Sequence, residues 1–382
     1  MATTELSAAL AALFGEWARR LHLAIRGDRA MLLFSARAGL RLRLIYERVA
    51  AANGWSPWPA ADLMISRLLA ARVTLAQAPD LVWDIVAGDF AGHPLAECLG
   101  AFGVAADTVA PATLTSAAML RRFAASAAGA PLLAEAAEQH ALFARRLAAD
   151  VGDAECLAVV DSGQFGSAQL LLEAAYPDYA WRGLYIGRCN HRGAPAPHFA
   201  RARGLIFQAD RWLPRRPETA FLKHWHLLED LLEPALPSVT RFVANDAGRP
   251  LSNLELDPAW PHAVTAGDAL WQAVLAGLEA QPAFDLEREH PAYRDALATL
   301  EKMILAPRPQ QLAALATGRR SRDFGRSGEI PVLLEGHRAL RQRLGRINAA
   351  LWREGQVVSE FGRAGTWLLE GRRRLRALID RA

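Results

Sequence analysis

Val159-Val160-Asp161-Ser162-Gly163-Gln164-Phe165-Gly166-Ser167-Ala168 decides the fold: an apolar run, a turn of small residues and the start of a helix. With Leu157 and Ala158 ahead of it, the run has the composition of a strand buried on both faces. Leu170 to Ala175 continues as helix and Trp181 to Ile186 reads as the next strand, which makes a β-α-β unit. Small residues let the backbone approach a ligand closely, and the N–H groups at a helix start favour an anion. Asp161, at the carboxyl end of the strand, is placed to accept hydrogen bonds from sugar hydroxyls or to help hold a hydrated metal ion. Taken alone, the segment is equally readable as an ordinary strand-to-helix turn.

A second loop repeats the arrangement. Met31-Leu32-Leu33-Phe34 is a short apolar run that ends in Ser35-Ala36-Arg37-Ala38-Gly39, after which Leu40, Leu44, Ile45 and Val49 follow helical spacing. Parallel sheets collect ligands at the carboxyl ends of their strands, so two such loops can converge on one diphosphate-bearing molecule, with Arg37 clamping an oxygen. A surface arginine on a turn is the other reading of Arg37.

Outward from these loops, Glu5 to Ile25 predicts a packing helix, and Leu63-Met64-Ile65 before Ser66-Arg67 predicts a second short strand. Leu68 to about Asp150 is Ala-rich and helical in period, a helical insertion. After Arg188 comes an irregular Arg/His/Pro segment, then an amphipathic helix from about Glu218 to Leu232 ended by Pro234 and Pro237. The remainder reads as helical, broken by the Gly/Arg loop Thr317 to Gly328. The expected fold is α/β, a parallel sheet flanked by helices, with a helical insertion and a helical C-terminal region. Its parts are a packing helix (1–27), an α/β core (28–215, insertion at about 68–150) and a mainly helical region (216–382).

Composition narrows the classes. The chain has 382 residues, about half of them apolar, which suits one elaborated or two closely joined domains and argues against disorder. Lys223 and Lys302 are its only lysines, so arginine carries nearly all the positive charge. An isoelectric point of about 9.2 permits a phosphate-rich ligand or an acidic membrane surface. No zinc-finger or RNA-binding signature accompanies it, so nucleic acid is not an expected partner. Cys98, Cys156 and Cys189 are odd in number and widely spaced, which argues against a disulfide framework or structural zinc. Neither a signal peptide nor a spanning apolar run is seen, and the expected location is cytoplasmic.

The Asp161 loop resembles the ribose-5-phosphate loop of type I phosphoribosyltransferases, and Arg37-Ala38-Gly39-Leu40 resembles their pyrophosphate loop. A closer resemblance is to a bacterial polysaccharide-biosynthesis family, often fused to or paired with a HAD-type phosphatase. Its pattern is Phe-Leu-(Ala/Ser)-Arg-Asp-Gly, then Ser-Arg, then Asp-Ile-Gly-Trp-x-Gly-Ser-x-Gln. Phe34 to Gly39, Ser66-Arg67 and Asp161 to Gln169 correspond to these in order, and Glu229 with Pro237-Ser238 resembles a later Glu-to-Pro-x-Ser element.

The resemblance implies a phosphoribosyltransferase-like parallel sheet and the activity of a glycan phosphoribosyltransferase. Such an enzyme moves 5-phosphoribosyl from phosphoribosyl pyrophosphate, with Mg2+, to a hydroxyl of a growing, lipid-linked bacterial polysaccharide and releases pyrophosphate, and a separate HAD-type phosphatase then acts on the product. It implies binding by Ser35, Ala36, Arg37, Gly39, Ser66, Arg67, Ser162, Gly163, Gln164, Phe165, Gly166, Ser167, Ala168 and Gln169. Asp161 would meet the ribose or the metal. Ala38 stands where the family pattern has Asp, so either another acid such as Glu229 or Asp161 replaces it or the chain is an inactivated variant. A nucleotide-sugar glycosyltransferase, a nucleobase-salvage enzyme, and a noncatalytic phosphoribosyl-pyrophosphate-binding regulator or scaffold are the alternatives.

Other candidates carry weaker signals. His191, His198, His224 and His226 lack a matching acidic set for a metal, and packing explains them as well. Trp55, Trp58, Trp212 and Trp225 suit either sugar stacking or the core. Arg319, Arg320, Arg322 and Arg326 lie in a loop able to fold over diphosphate or to stay solvated. Arg372, Arg373, Arg374 and Arg376 beside Leu368, Leu375, Leu378 and Ile379 make a basic amphipathic C-terminus, suited to peripheral contact with the inner face of the membrane or to docking on its own domain.

Overall fold

A computed structural model describes residues 2–27, 29–191, 193–245, 248–316, 319–321, 329–336 and 339–379. Its centre is a five-stranded, all-parallel sheet. The strands are β1 (Ala30–Ser35), β2 (Ala60–Leu63), β3 (Cys156–Gln164), β4 (Ala180–Arg188) and β5 (Ala202–Gln208), in spatial order β2-β1-β3-β4-β5.

Both faces of the sheet are covered at its centre, which is why β1 and β3 read as apolar runs. Alternate residues serve different cores. Leu32, Phe34, Ala158 and Val160 enter one core with the helices Ala2–Ala24, Ala38–Ala52, Ala269–Ala280 and Tyr293–Leu305. Leu33, Leu157 and Val159 enter the other, with Arg67–Leu75, Pro79–Asp89, Ala130–Val151 and Ser167–Ala175. The N-terminal helix packs on Ala269–Ala280 and Tyr293–Leu305, so the C-terminal region helps build the core that the first strands began.

The strand order places the site. From β1 the chain runs outward to β2, passes through the helical insertion, returns to pair β3 on the other side of β1, and continues outward to β4 and β5. The loops leaving β1 and β3 therefore depart in opposite directions. That reversal leaves a crevice at the carboxyl ends of two adjacent strands.

Four local differences from the sequence expectation have physical causes. β5 lies in the segment read as irregular, its buried core of Leu205, Ile206 and Phe207 being too short to stand out beside the Arg/His/Pro stretch. The helix expected over Glu218 to Leu232 is a 3-10 turn, Pro217–Lys223, and a separate helix, His226–Leu232. The chain breaks at His224, whose φ of -147 and ψ of 60 are not helical. β2 ends at Leu63, leaving Met64 and Ile65 buried beyond it. Two antiparallel pairs, β6 (Phe242–Ala244) with β7 (Pro250–Ser252) and β8 (Arg319–Ser321) with β9 (Glu329–Pro331), have strands of three residues, too short for a periodic signal. Of the Gly/Arg loop's arginines, Arg322 and Arg326 lie outside the described residues.

Candidate functional site

The crevice at the carboxyl ends of β1 and β3 opens into a cleft of about 660 Å3. It gathers the β1 loop (Ser35 to Ala38), Ser66-Arg67 beyond β2, the whole segment from Asp161 to Gln169, Glu229 and Ser238. Stretches far apart in the chain are thus one surface. Gly39 stands behind that surface: a Cβ there would lie 2.7 Å from the Phe34 carbonyl carbon and 3.0 Å from the Val160 oxygen. Only a bare backbone lets the helix Ala38–Ala52 start this close to both strands.

Two helices begin at the cleft without a side-chain cap. Ser167–Ala175 follows Gly166 and Ala38–Ala52 follows Arg37, and neither of these N-cap residues caps its helix with a side chain. Their leading amides therefore offer donors to an anion. Gly166 takes φ 74, in the left-handed region, and lies against the Tyr185 ring. His198, wholly buried, braces the same loop by donating from Nε2 to the Phe165 carbonyl at 2.5 Å. The Ala36–Arg37 and Gly163–Gln164 peptide bonds are cis.

The predicted residues divide by what their side chains already do. Ser66 caps Arg67–Leu75, accepting from the Leu69 N–H at 3.1 Å and donating to the Val239 carbonyl at 2.6 Å, so its hydroxyl works within the fold. The Gln169 amide is engaged at both ends, donating to Glu173 at 2.7 Å and accepting from the Tyr185 hydroxyl at 2.6 Å. Ser35 differs. Its hydroxyl is buried, lines the cleft and has no hydrogen-bond partner among the described residues.

Charge concentrates at one place. Asp161 keeps an edge on the cleft and accepts from the Ser162 N–H at 2.7 Å. Burial of its carboxyl pushes the pKa up to about 7; the Ser162 N–H bond opposes this, and the negative charges of Glu233 and Glu229 add to it. Arg37 donates to Glu233 and to the Leu236 carbonyl, the latter at 3.0 Å. His226 lies 3.4 Å from Glu229. Glu233 was missed in the sequence although it is four residues after Glu229, one helical turn away at the end of His226–Leu232.

Among the described residues, no group of three or more His, Cys, Asp and Glu is placed to hold a metal ion. Mg2+ commonly takes only one or two protein carboxylates, with substrate phosphates and water completing its shell. Asp161 fits that pattern. Of the histidines weighed for metal, His191 and His226 line the cleft, His198 braces its loop, and His224 is buried, stacks on Trp352 at 4.5 Å and donates from Nε2 to the Leu315 carbonyl. Trp212 and Trp225 line the cleft, whereas Trp55 and Trp58 pack around His22.

No protein-family model matches the chain, and no curated protein matches it.

Proposed function

We propose that the cleft binds phosphoribosyl pyrophosphate and that the chain is a glycan phosphoribosyltransferase of the kind its motifs resemble. The observation that carries this reading is the meeting of the Ser35–Gly39 and Asp161–Ala168 loops at the carboxyl ends of adjacent strands, each leading into an uncapped helix. One helix start, Ser167–Ala175, would take the 5-phosphate. The other, with Arg37, would take the pyrophosphate. Asp161 between them would meet the ribose hydroxyls.

The reaction joins an acceptor hydroxyl oxygen to the anomeric carbon as the bond from that carbon to pyrophosphate breaks. Mg2+, arriving with the diphosphate, would screen the leaving group's charge. Arg37 would hold that group, and amides at the two helix starts would fix both phosphate ends so that the anomeric carbon faces the acceptor. Glu229 is the carboxylate assigned to take the acceptor's proton: it lines the cleft, and His226, 3.4 Å away, stands beside it.

Ala38 supports a second reading. It opens the helix Ala38–Ala52, is 5% exposed and lines the cleft where the resembled pattern carries Asp. A regulator that binds phosphoribosyl pyrophosphate without transferring it would have no need of that acid.

Calorimetry with phosphoribosyl pyrophosphate and Mg2+ tests binding. Heat of binding that disappears in Asp161→Ala is expected; no binding by the intact chain, or competition only from a nucleotide diphosphate sugar, overturns the reading. Transfer to glycan by the chain, or its appearance in Ala38→Asp, identifies an enzyme or an inactivated one. Tight binding with neither activity identifies the regulator, and turnover with free nucleobases would place the chain in salvage.

A further inference from the structure

The last helix, Arg353–Ile379, turns at Gly362, whose φ of 56 and ψ of -137 break the helical geometry. Beyond the turn its inner side is docked. Gly365, Thr366 and Leu369 are buried, Thr366 donates to the Pro307 carbonyl at 2.7 Å, and Arg373 donates to Glu301 at 3.2 Å.

Its outer side is apolar and uncovered. Trp367 is 76% exposed, Leu368 67%, Leu375 59%, Leu378 61% and Ile379 64%. At about 100° per residue these five fall in one sector roughly 120° wide, opposite the docked side. Arg363 and Arg374 border one edge of the sector, and Arg372 and Arg376 the other. The one acid of residues 363–379, Glu370, is half-buried.

We infer that this outer face lies on an anionic lipid surface. Apolar side chains centred between two arginine borders match the acyl boundary and the headgroups of an acidic bilayer at once, and an exposed tryptophan suits the interface between them. No described helix is long and apolar enough to cross a membrane, so the contact is along the surface.

The position carries a further consequence, which rests on the proposed function. Trp212 lines the cleft, and the Arg376 guanidinium lies over its ring at 5.6 Å. A bilayer on the outer face of this helix would lie beside the cleft, where a lipid-anchored acceptor is delivered.

Vesicle flotation of the full chain tests the docking without any cleft ligand, so its failure leaves the reading of the cleft standing. Flotation with phosphatidylcholine vesicles containing phosphatidylglycerol, weakened by salt and absent with phosphatidylcholine alone, is expected. Leu375→Asp with Leu378→Asp should lower affinity at least about tenfold. Arg372→Ala and Arg374→Ala should each lower it about fivefold with unchanged thermal unfolding, from about 1 kcal/mol per basic residue near an anionic surface. Three results overturn the inference. One is flotation with neither vesicle, another is equal binding by the Leu375→Asp and Leu378→Asp variant, and the third is a lipid-free dimer that this variant dissociates, which would assign the face to a second copy.

Discussion

The guanidinium of Arg37 is tied to the carboxylate of Glu233, which joins the β1 loop to the segment that follows the helix His226–Leu232. A diphosphate entering the cleft has to compete with that carboxylate for the same donors. Glu233→Gln keeps an acceptor and removes the charge, so affinity for phosphoribosyl pyrophosphate should rise about three- to tenfold, while stability changes by less than about 1 kcal/mol. Arg37→Met should lose at least about tenfold. Weaker binding by Glu233→Gln in calorimetry would make Glu233 a ligand contact and reverse this account.

Asp161 sets a pH dependence. Its pKa is about 7 in the folded chain, above its ordinary value of 3.8. The folded state therefore holds a proton that the unfolded state has released. The stabilisation from this group is complete below pH 3.8 and is lost as pH rises through about 7. Asp161→Asn keeps an acceptor for the Ser162 N–H and removes the titration, so its stability relative to the parent should improve between pH 5 and 8 in denaturant titrations. If the ionised form holds Mg2+ and ribose, affinity in the parent rises over the same window and that of the variant stays flat.

His224 acts with the opposite sign. Burial lowers its pKa from 6.5 to about 3, and its bond to the Leu315 carbonyl only partly opposes this. Below pH 6.5 the unfolded chain takes up a proton that the folded ring refuses, so stability falls as the solution is acidified towards pH 3. His224→Phe leaves the Leu315 carbonyl without its donor. It should start less stable at pH 7.5 yet lose less between pH 7 and 5, measured by thermal unfolding across that range.

Gly166 combines a left-handed φ of 74 with a close neighbour. A Cβ there would lie 2.5 Å from the Tyr185 hydroxyl. Gly166→Ala should cost about 2 to 3 kcal/mol in urea unfolding and move the first amides of Ser167–Ala175, with loss of ligand binding. Tyr185→Phe in that background removes the nearest atom and should restore part of the stability. An alanine variant as stable as the parent would show that the turn tolerates a side chain.

The parallel sheet was legible because its central strands are buried on both faces, giving apolar runs at Met31 to Phe34 and Leu157 to Val160, each followed by a turn of small residues and a helical pattern. The two cleft loops were legible for a related reason: each follows such a run and changes abruptly to small residues. β5 was not, since the three-residue apolar run of Leu205 to Phe207 sits among arginines and glycine. Side-chain duties were also hidden. Ser66 and Gln169 occupy the expected positions, yet one caps a helix and the other bonds to Tyr185 and Glu173, and no local pattern separates a capping serine from a ligand-binding one. Glu233 was obscured by its place just before Pro234, where the helix period ends.

The pairing of Phe34 with Val160 has a consequence for how the protein is made. On the ribosome β1 must wait while the entire helical insertion is synthesised before its neighbour β3 appears, and non-local parallel pairing of this kind closes slowly. One loop of the cleft follows each of those strands, and residues as late as Glu229, Glu233 and Ser238 complete its lining. The nascent chain therefore has no complete cleft until well after its central sheet has been synthesised.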